Sequence, residues 1–381
     1  MTAKLLEGIR IVDLTSVVFG PYATEIMADL GASVIKVEGP EGDQFRHAGR
    51  PRATRGMGPC TLNLNKGKQS LAIDLKTADG KAALAAQLAQ ADVFIHNVRG
   101  AAIDRLGFGY DAVRAIRPDI VYVHCVGFGS DGPYAGLQAY DDVIQAASGT
   151  TTLLPRVDGN PAPRYLPSLI ADKVAGLHGA YAILAAIIHR LRFGEGQFVE
   201  VPMFEAFTHF MMQEHLFGAA LVPPLEPAGY PRQVDPDRQP FPTADGHISI
   251  VPYTDAALCR LFALLDAGHL LEEERFATPM ARMRNIGVAY REIAVRTPQR
   301  TSAEWAAILA EAQIPAMPVR DLADVIDDPH LDAVGLFQRR EHPSEGGYLH
   351  LKSPVRFGVG GCDTGPAPRI GEHNAELGVG S

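Results

Sequence analysis

The 381-residue chain predicts an α/β protein: a doubly wound, Rossmann-like large domain followed by a smaller α+β domain. Three observations predict it. Short apolar runs alternate with amphipathic helical stretches over the first two hundred residues. A crowd of prolines after residue 222 interrupts that rhythm. Beyond it the pattern changes to a hairpin and scattered helices.

Residues 9–14 are a mostly apolar run and read as a strand. Pro21 suits a first helical turn, and Ala23, Ile26, Met27 and Leu30 make a helical stripe that ends at Gly31. Residues 33–37, SVIKV, read as the second strand, and a strand–helix–strand unit implies a parallel sheet. The unit then repeats: strands at 70–75, 92–97 and 119–126, helices at 77–90, 112–116 and 141–147.

The longest helical stretch starts at Asp172. An aspartate is a favoured N-cap, because its oxygen accepts from the exposed N–H groups of the first turn, and the helix dipole favours its charge. Gly176, Gly179 and Ala180 gather on one side, where another backbone can approach closely, so the helix reads as buried. His189, Arg190 and Arg192 suit its C-terminus, and Gly194 and Gly196 stop it. Residues 197–201 read as the next strand.

Pro223, Pro224, Pro227, Pro231, Pro236 and Pro240 exclude helix or central strand from 223–240, which reads as a linker. The large domain is thus residues 1–222 and the small domain 241–325. The small domain opens on a hairpin with Asp245-Gly246 at its turn, continues with helices at 255–265 and 302–310, and returns as a strand at 314–319. Residues 326–381 are a tail of short strands and turns.

Composition excludes several functions. A net charge of −9 argues against a nucleic-acid surface. The best apolar run, 180–188, is too short to span a membrane. The first residues run straight into a strand pattern, which predicts no signal peptide. Cys60, Cys125, Cys259 and Cys362 lie far apart without metal spacing, as expected of reduced thiols in a cytoplasm. Cys125 ends a strand and reads as a small buried hydrophobe rather than a nucleophile. No HExxH or similar cluster predicts a metal.

Residues 127–132, GFGSDG, match GxGxxG after a strand, but Pro133-Tyr134-Ala135-Gly136 follows where a dinucleotide site needs a helix. A tight glycine turn is the better reading. There is no GxxxxGK[ST], so nothing supports ATP-driven ligation.

Alone, Asp172 is most simply a helix cap. The residues around it say more. Asp172, Gly176, His189-Arg190, Gly194-Glu195-Gly196-Gln197 and Met203-Phe204-Glu205-Ala206 together resemble the signature region of the class III CoA-transferase family. Similar matches occur at 6–13, Gly20-Pro21, 31–38, 64–68, 127–134, 327–330 and 371–373. The resemblance implies an N-terminal α/β domain rejoined by the C-terminal segment, a small domain over about 225–325, and two chains interlocked as a homodimer. It also implies coenzyme A and acyl-CoA as substrates, with no permanently bound cofactor, and a small organic acid as the other partner.

A CoA site needs cations and backbone donors where parallel strands end. Ile73, Lys76, Asn97, Val98, Arg99, Arg105, Gln138 and Tyr140 stand there, and the family's CoA contacts fall on the same strand ends. By themselves Lys76, Arg99 and Arg105 read as a solvated face. Formyl-CoA transferases carry an Arg where this chain has Gly39 and a Gln where it has Val18. Their small-domain glycine loop is replaced by Arg238-Gln239-Pro240-Phe241-Pro242, which argues against formate and oxalate.

The resemblance makes Asp172 a nucleophile, passing through an aspartyl–acyl anhydride and an aspartyl-CoA thioester. The family's 2-methylacyl-CoA racemases place a His before an Asp where this chain has Tyr140-Asp141, and a tyrosine of ordinary pKa is a poor base at neutral pH. Transfer is therefore expected. An epimerase using Asp172 with Asp141 or Tyr140, and a non-catalytic CoA-binding protein, are the alternatives.

Overall fold

Strands covered on both faces carry apolar side chains at successive positions, and the first half of this chain shows why. In the computed structural model, which describes residues 4–380, Ile11, Ile95 and Val123 point into one core and their neighbours Val12, Phe94 and Tyr122 into another. The strands are β1 (Arg10–Leu14), β2 (Ser33–Glu38), β3 (Gln69–Ala72), β4 (Val93–His96), β5 (Val121–Val126) and β6 (Gln197–Pro202). All are parallel, in the order β3-β2-β1-β4-β5-β6.

In chain order the first helices are α1 (Phe19–Asp29), α2 (Pro59–Leu64), α3 (Ala78–Leu88), α4 (Gly100–Leu106), α5 (Tyr110–Ile116) and α6 (Asp141–Ala147). Then come α7 (Leu153–Asp158), α8 (Ile170–Phe193) and α9 (Met203–His215). Helices α1 and α8 cover one face of the sheet, while α3, α4 and α5 cover the other. The small residues of α8 do what their size suggests. A Cβ on Gly176 would meet the Phe19 carbonyl oxygen at 2.9 Å, and one on Gly179 the Ala23 Cβ at 3.3 Å. Gly194, at φ +75°, ends the helix in the left-handed conformation.

One expectation fails here. By length and composition α8 is apolar enough to cross a membrane, with a mean hydropathy of 1.4. The sequence reading missed this because Lys173, His178 and His189 break its longest apolar run. Ala171, Val174, Ala175, Ile183 and Ile187 of this helix are buried in the sheet's core.

The chain forms two compact units. One comprises residues 4–150, 165–212 and 329–380; the other comprises 151–164 and 213–328. The break thus lies ten residues before the proline-rich stretch, and a short segment around α7 joins the smaller unit, which the sequence pattern does not signal. The smaller unit holds an antiparallel sheet of β7 (Phe241–Pro242), β8 (His247–Ile250) and β9 (Ala316–Pro318). Around it lie α10 (Asp255–Leu264), α11 (Pro279–Arg284), α12 (Ile286–Ala294) and α13 (Ser302–Glu311), the last started by a Thr301/Glu304 capping box.

The tail resumes with α14 (Pro329–Ala333) and the hairpin β10 (Phe337–His342) and β11 (Gly346–Leu351). It then covers the β3 edge of the parallel sheet. The Asn374 carboxamide accepts from Ala72 N at 2.9 Å and donates to Ala72 O at 3.0 Å, and Ser70 O accepts from His373 N. An edge strand left bare would be a template for unwanted pairing.

Asn374→Ala should therefore lower stability by about 1–3 kcal/mol, the cost of two lost hydrogen bonds at a half-buried edge. Urea unfolding of the full chain measures it.

Candidate active site

In an open parallel sheet the loops diverge where the strand order reverses, and a crevice opens at the strands' C-terminal ends. Here the reversal lies between β1 and β4. A cavity of about 680 Å3 sits there. Ser16 and Val17 enter it after β1, and Asn97 and Arg99 after β4. His124 to Phe128, Ser130, the segment from Ala135 to Tyr140, and Phe198 and Glu200 on β6 complete most of the wall.

Asn97, Arg99, Gln138 and Tyr140 are thus brought together on one cavity. The other candidates are not. Ile73 is buried in the core that also holds Leu84 and Leu88 of α3, and its N–H donates to Glu38 O at 2.9 Å. Lys76 and Arg105 are exposed and off the wall. Val98 is half-buried; its carbonyl oxygen accepts from His124 Nε2 at 3.0 Å. Asn97 and Arg99, just after β4 at the reversal point, thus line this cavity, and Ile73, Lys76, Val98 and Arg105 do not.

The wall residues are fixed from behind. His124 stacks on His96 with ring centroids 4.4 Å apart, and burial lowers the pKa of both, keeping the pair neutral. Burial also raises the Cys125 thiol, with the charge of Asp13 adding to it, so this cysteine is no thiolate nucleophile. A Cβ on Gly127 would lie 2.5 Å from the Ala139 Cβ, so only glycine fits where the two loops cross.

The glycine turn at 127–132 opens no helix before α6. Gly129 N donates to Glu205 Oε1 at 2.9 Å, and Ser130 N and Oγ donate to Glu200 Oε1 at 2.9 and 3.1 Å. Those two amides are therefore already engaged and do not form an oxyanion hole as they stand. Sequence reasoning missed Glu200. The register gives the signal, for Glu200 lies beside the cavity residue His124 in the paired strand.

Asp172 is not the N-cap. Leu169 holds that position without a side-chain bond, and Asp172 lies in the first turn of α8. The capping oxygen comes from α6: Asp141 Oδ1 accepts from Ala171 N at 2.7 Å and from Asp172 N at 3.1 Å. Gln145 Nε2 holds the other oxygen at 2.6 Å. With the cap supplied by a neighbour, the Asp172 carboxylate is left over. It is only 5% exposed and has no hydrogen-bond or ion-pair partner among the described residues.

Two effects oppose each other at this carboxyl. The helix N-terminus favours its charge. Burial, and secondly the nearby Asp141 carboxylate, disfavour it, and together they push its pKa up to about 7. Asp172 is not on the cavity wall itself. It is tied to that wall through one neighbour: Asp141, which accepts from Asp172 N, begins α6 directly after the wall residue Tyr140. This buried, unpaired carboxylate, poised near neutrality beside a large cleft, is suited to act as nucleophile or base. Among the described residues, no group of three or more His, Cys, Asp or Glu is placed to hold a metal.

The family model described as CoA-transferase family III matches residues 6–374. Succinate–glutarate CoA-transferase of Agrobacterium fabrum is 29% identical, covering 98% of this chain and 94% of its own. Formyl-CoA:oxalate CoA-transferase of Streptomyces coelicolor is 31% identical, covering 100% and 96%. The crystal structure of Rv3272 from Mycobacterium tuberculosis superposes with a TM-score of 0.85 at 28% identity over 99% of both chains.

The raised carboxyl has a stability signature. Its folded value lies above the ordinary 3.8, so the folded chain holds the proton more tightly than the unfolded chain. That contribution is full below about pH 4 and is lost as pH rises to about 7. Asp172→Asn, which cannot ionise, should gain on the wild type over this window by roughly 3–4 kcal/mol in all. Urea titrations at a series of pH values measure the widening gap. In Asp141→Asn the carboxyl of Asp172 should titrate at lower pH, as followed by carboxyl infrared difference spectra.

Proposed function

Because the chain belongs to CoA-transferase family III, we propose that it moves coenzyme A from a short acyl-CoA, such as succinyl-CoA, to a carboxylic acid acceptor. The observation that carries this reading is the unpartnered, nearly buried carboxylate of Asp172, in a residue bonded through its N–H to Asp141 next to wall residue Tyr140 of a cavity large enough for part of a nucleotide thioester. The name of the Agrobacterium relative, with succinate and glutarate, supports small dicarboxylates as donor and acceptor. Gly39 and Val18 argue against formate and oxalate.

An ionised Asp172 oxygen attacks the thioester carbonyl carbon. The C–S bond breaks, leaving an aspartyl–acyl anhydride and CoA thiolate. The thiolate then attacks the Asp172 carbonyl carbon and expels the donor acid as its carboxylate. The acceptor carboxylate attacks this aspartyl-CoA thioester, releasing thiolate and forming a second anhydride. Thiolate attack on the acceptor's acyl carbon yields the new acyl-CoA and restores Asp172. Every step trades one activated acyl group for another, so no nucleotide is hydrolysed.

Asn97, Arg99, Gln138 and Tyr140 are the proposed CoA contacts on the cavity wall. Arg99, exposed and without an acidic partner among the described residues, is suited to a phosphate. The epimerase alternative needs a second proton-transfer group. Asp141 is a poor one, because its oxygens already accept from Ala171 N, Asp172 N and Gln145 Nε2. A homodimer, interlocked as the family resemblance implies, is proposed from the outer face of α8. Leu177, Tyr181, Ile188 and Leu191 are exposed there at helical spacing, an apolar stripe that a second copy would cover. The unpaired, widely spaced thiols support a cytoplasmic setting.

The test is a panel of small acids against succinyl-CoA and acetyl-CoA in D2O, read by mass spectrometry. Transfer of CoA without deuterium at the α-carbon is expected; α-deuterium without transfer would establish epimerisation instead. Asp172→Ala should lose at least about a thousandfold in turnover, as expected when a covalent nucleophile is removed. Hydroxylamine should convert Asp172 of the wild type, incubated with acyl-CoA, to its hydroxamate, and turnover retained by Asp172→Ala would refute the mechanism.

A further inference from the structure

Four non-glycine residues sit at positive φ among the described residues: Val17, Phe217, Asp266 and Gln313. Val17, at φ +69°, is the only β-branched one, and it lies on the wall of the large cavity. A β-branched residue in the left-handed region is strained and persists only where its surroundings over-determine it.

The surroundings do so from two sides. Val17 N donates to both oxygens of Asp43, at 3.2 and 3.1 Å. Asp43 is itself fixed, for its Oδ2 accepts from Lys36 Nζ at 3.1 Å, and both side chains are almost wholly buried. Lys36 Nζ reaches on to Thr15 O at 3.0 Å, so one ammonium holds the carboxylate and the loop together. From the β4 side, the Asn97 carboxamide accepts from Ser16 N at 3.1 Å and donates to Ser16 O at 3.0 Å. Asp43 also caps the short turn at 44–47 through Phe45 N. That local duty does not require Val17.

We infer that Asp43 is a positioning residue of the cavity: anchored by Lys36, it holds Val17 in the left-handed turn and so fixes the β1 wall in the shape that takes acyl-CoA. The inference rests on reading the cavity as the acyl-CoA site. It assigns to a buried ion pair between β2 and the following turn a part in affinity as well as in folding. When the clamp is weakened the loop spends only a fraction of its time in the competent shape, and the apparent dissociation constant rises in inverse proportion.

The test uses the full chain and coenzyme A itself. In Asp43→Asn, which keeps the size but loses one acceptor and the charge, amide exchange of the peptide containing Val17 should accelerate. The dissociation constant for coenzyme A by calorimetry should rise about tenfold. The KM for acyl-CoA should follow it, with a much smaller change in kcat. Glycine adopts φ +69° without strain, so adding Val17→Gly to Asp43→Asn should restore affinity to within about threefold of the wild type. A residue needed for folding alone would show neither the split nor the rescue. Should Asp43→Asn strand the buried Lys36 charge and fail to fold, the neutral pair Lys36→Met/Asp43→Asn is read in the same way. Equal affinity in wild type and folded variant, or no recovery with Val17→Gly, overturns the inference alone. A wild type that binds no coenzyme A overturns the cavity reading and the inference with it.

Discussion

The carboxylate of Asp141 is the bond on which the site depends. A helix begins with N–H groups that have no partner within it, and something must accept from them. In α8 the acceptor is a residue from another helix, about thirty positions earlier in the chain. That one substitution of partners has three effects. It fixes the start of the longest helix to the segment that carries Tyr140 and the cavity wall. It frees Asp172 from capping. It also places a second negative charge near Asp172, which adds to the larger effect of burial in holding that group's pKa near neutrality.

Beneath β1 and β2 the larger unit carries an unusual density of buried charge. Lys36 pairs with Asp43, Arg46 with Glu38, and Lys68 with Asp13, all with side chains almost fully enclosed. Such pairs are weak sources of net stability, because desolvation offsets much of the attraction. Their geometric effect is clearer. Arg46 grips both oxygens of Glu38 at 2.6 and 2.7 Å and reaches Pro368 O at 3.0 Å, tying the turn after β2 to the returning tail. The same turn presents Asp43. Rigidity at the back of the cavity therefore comes from hydrogen-bonded ions, and the apolar cores on either side of the sheet supply the driving force.

How much of this was legible follows from range. The strands of the parallel sheet could be read because their burial on both faces leaves a local mark, as in Ile11 and Val12. The stop of α8 was equally local, in Gly194. The helices α2 and α4 were not read, being only 6 and 7 residues long with no sustained apolar stripe. Asp172 was misread as a cap because its residue type fits the role and the true cap is distant in sequence. Among the CoA candidates, Asn97 and Arg99 follow the strand beside the order reversal and line the cavity, whereas Ile73 and Lys76 follow the edge strand β3 and are not on its wall. The residue types were visible; the strand order that separates one group from the other was not.

The bond between Asn374 and Ala72 spans 302 positions of sequence. During synthesis at about 5–20 residues per second, roughly 15–60 s pass between the two leaving the ribosome. Through that interval the β3 edge of a nascent molecule has no covering strand or tail. Molecules made side by side on one message would then have matching bare edges, each a template for pairing with the next.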